Sequence, residues 1–117
     1  MPTNNELTYL KNFNIHKERL KECAKIIGNH GMKFGLEFVG PKTLMSRDQF
    51  SFIRTINELG ELIDAIDEKN VGYLLDTFHL YCANHSVDDL KFLNKDDIIM
   101  CQINDAVIGR SRDCLLY

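Results

Sequence analysis

Glu37, Asp76 and Gln102 each stand at or near the C-terminal side of a short apolar run. The runs are Phe34-Gly35-Leu36-Glu37-Phe38-Val39, Val71-Gly72-Tyr73-Leu74-Leu75-Asp76 and Ile98-Ile99-Met100-Cys101-Gln102-Ile103. Two carboxylates brought together inside a fold lose hydration and repel each other, which costs free energy unless a cation shares the site. Carboxylate and carboxamide oxygens suit Mg²⁺, Mn²⁺ or a similar hard-to-borderline ion. Asp76-Thr77-Phe78-His79 adds an imidazole three residues beyond the acid, expected in the loop above the strand ends. Its unperturbed pKa lies close to ambient pH, so it can donate to a substrate oxygen or exchange a proton. Arg110 can hold an anionic or polyhydroxyl substrate through forked hydrogen bonds, whereas Arg112 reads as solvated loop charge. Taken singly, a glutamate in an apolar strand is more often paired or edge-exposed than a ligand. Recurrence on three successive runs shifts the reading toward a site.

The elements that must position these groups alternate. Residues 16–29 carry Leu20, Cys23, Ala24 and Ile27 on one helical stripe, and Gly31 offers a left-handed stop. Ser46-Arg47-Asp48-Gln49 has capping-box spacing, with Ile53, Ile56, Leu59, Leu62, Ile63 and Ile66 at helical period behind it. Ser86-Val87-Asp88-Asp89 reads as another cap, opening a short helix to about Phe92. The order is helix, strand, helix, strand, helix, strand, and continuously apolar strands imply a parallel sheet covered on both faces. In such folds the C-terminal ends of the strands open onto one face, where ligands and catalytic groups collect. Glu37 shares its face with Gly35, and Asp76 with Leu74 and Gly72. Both acids then project away from the helices if Leu36, Phe38 and Leu75 pack on them.

Length and composition bound the answer. The 117 residues are 44% hydrophobic and 26% charged, an ordinary globular balance for at most one domain, spanning 1–117. Fourteen Lys and Arg against 17 Asp and Glu give a net charge of −3, which advertises neither nucleic acid nor an anionic membrane as partner. No apolar run approaches the ~20 residues that span a bilayer, and Met1-Pro2-Thr3-Asn4-Asn5-Glu6 lacks the cationic start of a signal peptide. Cys23, Cys82, Cys101 and Cys114 form no CxxC pair and read as reduced packing residues, which fits a cytoplasmic protein. A closed (β/α)8 barrel takes about 250 residues. Three strands therefore make an open sheet or an arc of a barrel, and an excerpt of a longer chain is expected.

Gly35-Leu36-Glu37-Phe38, the block Asn70-Val71-Gly72-Tyr73-Leu74-Leu75-Asp76-Thr77-Phe78-His79-Leu80-Tyr81, and Gln102-Ile103-Asn104-Asp105-Ala106 resemble the xylose-isomerase-like TIM-barrel superfamily of sugar phosphate isomerases and epimerases. The resemblance runs from about Glu6 to Tyr117 and implies an α/β fold, a partial (β/α)8 TIM barrel of about three to four βα units from the C-terminal half. It implies that Glu37, Asp76 and Gln102 occupy three of four positions holding a divalent metal (Mn, Mg, Co or Zn). Many relatives have histidine where Gln102 stands. It further implies that His79 contacts substrate, that Arg110 binds it, and that a fourth ligand, a glutamate from the last strand, lies beyond Tyr117. The implied activity is enediolate chemistry on a small sugar or sugar phosphate, with Glu37 and His79 as catalytic groups and a homo-oligomer as a further expectation. A lyase dehydrating an inosose-like cyclitol uses the same parts, and a non-catalytic sugar- or partner-binding module is the alternative from another class. A DNA-repair endonuclease on this scaffold would want more histidine ligands and a basic groove.

Overall fold

The computed structural model describes residues 3–105 together with Gly109 and Ser111. Helix α1, Tyr9–Asn29, begins a full two turns before the stripe predicted from residue 16. Tyr9 and Phe13 continue that stripe upstream and pack on the core with Leu20, while Ala24 is completely buried. Gly31 takes the expected left-handed conformation, φ 71°, just past the end of the helix.

Strands β2 (Phe34–Leu36), β4 (Val71–Asp76) and β5 (Ile98–Gln102) form a parallel sheet in the order β2-β4-β5. Between them lie the short helix α2 (Lys42–Met45), strand β3 (Phe50–Ser51) and helix α3 (Ile56–Ile66). Strand β3 pairs antiparallel with β1 (Thr3–Asn4), which ties the start of the chain to the β2–α3 connection. The capping box expected at Ser46 lies instead at Thr55, whose side chain accepts from the Glu58 N–H while Glu58 returns to the Thr55 N–H. The Gln49 N–H that the Ser46 box would use donates instead to Asn5 Oδ1 at 3.0 Å, and the neighbouring Asp48 accepts from Thr3 and Asn5. Ser46 ends α2, and Ile53 stands outside α3 with φ 41°.

On one side of the sheet Leu36, Phe38, Tyr73 and Leu75 meet Ile56, Leu59, Leu62 and Ile66 of α3, all at most 8% exposed. Burying each such aliphatic side chain contributes roughly 1.5–3 kcal/mol, so this layer holds the sheet against its helices. The opposite side carries Gly35, Gly72 and Leu74. A bulge in β5 (Tyr73 opposite Ile98, Leu74 opposite Met100) places Ile99 over both glycines. A Cβ on Gly35 would come within 3.3 Å of Ile99 Cβ, and one on Gly72 within 2.9 Å of Ile99 Cδ1 and 2.4 Å of the Asp97 carbonyl oxygen.

Two short elements differ from expectation. His79 lies not in a loop but on helix α4, Thr77–Cys82. The Ser86 cap is present, with Asp89 as its reciprocal partner, yet it opens only a 3-10 turn, Val87–Leu90. Cys82 is buried as expected of a packing residue; Cys23 and Cys101 are exposed thiols, and Cys114 lies outside the described residues. Among the described residues, no helix is long and apolar enough to cross a membrane.

Candidate metal and substrate site

Asp76 is the last residue of β4 and the N-cap of α4, and two donors hold its Oδ1. The Phe78 N–H donates at 2.7 Å, and Asn104 Nδ2 donates at 2.8 Å. Asn104 is itself locked to the start of α4: its N–H donates to Thr77 Oγ1 at 2.8 Å, and that hydroxyl lies 3.2 Å from the Asn104 carbonyl oxygen. Asp76 as a residue is only 9% exposed, and with both of these donors on Oδ1 its Oδ2 is the oxygen left for a ligand from outside.

Glu37 follows the last residue of β2. Its flanking residues Leu36 and Phe38 are buried on the helix side, so the pleat turns Glu37 to the glycine side, with its side chain one-third exposed. His79 faces it, with Nε2 3.9 Å from Glu37 Oε2, while His79 Nδ1 accepts the Gly40 N–H at 3.3 Å. Glu37, Asp76 and His79 each offer one ligating atom within 4.8 Å of the others, a separation one ion can bridge. Burial pushes the Glu37 carboxyl above its ordinary value; the imidazole of His79 opposes this and the nearby Asp76 carboxylate adds to it. Two acids converging with such desolvation are the donor set a divalent cation relieves.

The parallel register sets Gln102 directly beside Asp76 at the end of β5. Its side chain is exposed, and its amide nitrogen lies 3.8 Å from Met100 Sδ. Arg110 and Arg112 lie outside the described residues. The remaining histidines behave as caps or packing groups: His30 ends α1, and His16 bonds the Asn12 carbonyl with its ring centroid 4.6 Å from that of Phe52. His85, nearly buried, accepts the Ile56 N–H at the start of α3.

Two expected results arise directly. The unfolded Glu37 carboxyl loses its proton at the ordinary glutamate value and the folded one only at higher pH. Between those values the folded state binds more protons, so its stability falls as pH rises and stays reduced above that interval. Glu37→Gln is expected to flatten that slope in thermal melts, gaining well under ~1 kcal/mol at neutral pH because water screens a part-exposed group. Superimposable pH profiles for the two proteins would refute the shift. Asn104→Ala, which frees the Asp76 carboxylate without removing it, is expected to weaken divalent-ion binding by roughly 10–100-fold in calorimetric titration. An unaltered affinity would show that Asn104 does not orient the carboxylate.

Acids at the C-terminal ends of neighbouring parallel strands, backed by helices, define an arc of a barrel of the kind that carries its chemistry at that rim. A family profile described as the xylose isomerase-like TIM barrel matches residues 7–113, and the chain belongs to that family. It is 28% identical over 87 residues to the inosose isomerase of Bacillus subtilis strain 168, covering 74% of this chain and 29% of that protein. With the inosose isomerase of Bacillus licheniformis it shares 28% over 99 residues, 82% of this chain and 33% of that one. The chain thus spans about a third of the length of these curated relatives. Among solved structures, a xylose isomerase domain protein from Alicyclobacillus acidocaldarius superposes with a TM-score of 0.79 at 27% identity, over 94% of this chain and 42% of that one. The IolI protein solved with a zinc atom gives a TM-score of 0.72 at 24% identity, over 91% of this chain and 36% of that one, a likeness of fold.

Proposed function

We propose that the barrel to which this chain contributes is a divalent-metal-dependent isomerase or epimerase of small polyol ketones, working through an enediolate in the cytoplasm. The observation that carries the proposal is the convergence of a Glu37 and an Asp76 carboxylate oxygen within 4.8 Å at the ends of adjacent parallel strands, with a His79 ring nitrogen equally near. The similarity to inosose isomerases favours a cyclitol ketone over a phosphorylated sugar as substrate.

In this reading Asp76 and Glu37 hold the ion with Gln102 beside them, and the 117 residues are part of a single barrel domain. The ion supplies Lewis-acid polarisation of a substrate oxygen. Glu37 takes the proton from the carbon beside the carbonyl and returns it to the neighbouring position. His79 donates to the oxygen on which charge develops, and Arg110 steadies a second hydroxyl. The buried Asp76, clamped by its two donors, pays no reorganisation while this happens.

The test has two arms. Mn²⁺ at a hundredfold over its dissociation constant should stabilise the protein by about 2.7 kcal/mol in thermal melts. With the complete barrel, solvent deuterium should enter inososes with wild type and not with Glu37→Gln. A melting temperature indifferent to Mn²⁺, Mg²⁺, Co²⁺ and Zn²⁺ would sink the metal reading, and exchange surviving in Glu37→Gln would remove Glu37 from the chemistry.

A further inference from the structure

We propose that the backbone N–H of Gly40 is a positioning group for His79: by engaging the Nδ1 lone pair it selects the Nε2–H tautomer of the imidazole, so that the nitrogen facing Glu37 is a hydrogen-bond donor. This deepens the functional reading above and rests on it for the identity of the site.

The chemistry of the two ring nitrogens decides the matter. A backbone N–H can only donate, and it reaches His79 Nδ1 at 3.3 Å. Nδ1 must therefore present a lone pair, and a neutral imidazole carrying one there carries its proton on Nε2. Nε2 is the atom that faces Glu37. A metal-binding histidine has the reverse arrangement: the nitrogen away from the ion is protonated and donates to a carboxylate or carbonyl, leaving the other free to ligate. Turning the ring over would set a carbon against the Gly40 N–H and forfeit that bond.

The loop that delivers this amide is tightly placed. A Cβ on Gly40 would lie 2.1 Å from the His79 carbonyl oxygen and 3.1 Å from Ala83 N, so a larger residue could not bring its N–H so close without displacing α4. Arg54 Nε donates to the Gly40 carbonyl at 3.3 Å, and the side chain of Pro41 is fully buried. The 3.9 Å between His79 Nε2 and Glu37 Oε2 exceeds a direct hydrogen bond, so the Nε2 proton is not consumed by the carboxylate. An oxygen entering the gap, a carbonyl or developing alkoxide, meets the donor on one side and the base on the other.

The experiment reads the imidazole nitrogens of ¹⁵N-labelled protein at a pH where His79 is neutral, with and without saturating Zn²⁺. Expected are a protonated Nε2, a pyridine-type Nδ1, and a scalar coupling across the hydrogen bond from the Gly40 amide, all kept when zinc is added. A proton on Nδ1, an absent coupling, or zinc displacing the proton from Nε2 would overturn the proposal. Gly40→Ala should lose the coupling and the tautomer preference; a folded variant that keeps the preference would also overturn it. If that variant does not fold, the wild-type coupling decides. His79→Gln should keep its Mn²⁺ affinity within about threefold, since disturbing even the partners of a metal ligand costs roughly 10–100-fold; a loss of that larger size would reinstate His79 as a ligand. No zinc-dependent change at Glu37 or Asp76 would defeat the metal reading, while the tautomer in the metal-free protein would still decide this one.

Discussion

Asp76→Asn is expected to abolish the stabilisation of the protein by divalent ions while leaving its metal-free melting temperature almost unchanged. Asparagine caps a helix as well as aspartate does. Its amide oxygen can accept the same bonds from the Phe78 N–H and Asn104 Nδ2, so α4 and the end of β5 keep their anchor. What disappears is the charge, and with it both the repulsion that helps raise the Glu37 carboxyl and the anionic oxygen a hard cation requires. The about 2.7 kcal/mol gained at a hundredfold excess of ion should vanish, as read by melts and calorimetric titration with Mn²⁺. Asp76→Ala should lose the same response and a further ~1 kcal/mol for the missing cap, separating the two duties of this residue. An Asp76→Asn protein that still responds as wild type would place the ion elsewhere.

Phe38→Ala is expected to remove about 3–5 kcal/mol of stability, a large share of what a native protein possesses. The ring is 1% exposed. Its centroid lies 5.9 Å from that of His85 and 6.4 Å from that of His79. One side chain thus supports the helix-side core, the imidazole that caps α3 and the imidazole of the site. Urea denaturation measures the loss, and Phe38→Leu, which keeps most of the volume, should cost less than ~1.5 kcal/mol. A loss below ~1 kcal/mol for Phe38→Ala would mean that the layer closes over the gap and that Phe38 does not hold β2 in place.

The parallel strands were legible because short, unbroken apolar runs admit few alternatives, and Asp76 and Gln102 indeed end theirs. The outward packing of Leu36, Phe38 and Leu75 followed from the two-residue pleat. Helix α4 escaped notice because its six residues are too few to display a period and it starts at once from β4. The misplaced capping box has a different cause. Ser46-to-Gln49 and Thr55-to-Glu58 share one spacing, and what separates them is a distant partner, Asn5, whose side-chain oxygen accepts the Gln49 N–H. Tyr9 and Phe13 carry the α1 stripe upstream of residue 16, and the interleaved Asn12 and Asn14, weak helix formers, masked that extension. Gly40 and Asn104 were beyond sequence reasoning altogether. One acts through a main-chain amide 39 positions away from its partner, the other through a side-chain amide 28 positions away, and neither spacing carries a local signal.

The bulged Ile99 has a consequence for how this rim can diversify. Because two glycines carry no side chain beneath the acids and one isoleucine spreads across both, much of the packing on that face is set by a residue of a different strand. Trimming that branch while adding a methyl to Gly35 would move volume from one wall to another at nearly constant total. Glu37 and Asp76 would keep their places at the strand ends above a differently contoured surface, so the shape of this face can change without a substitution at either acid.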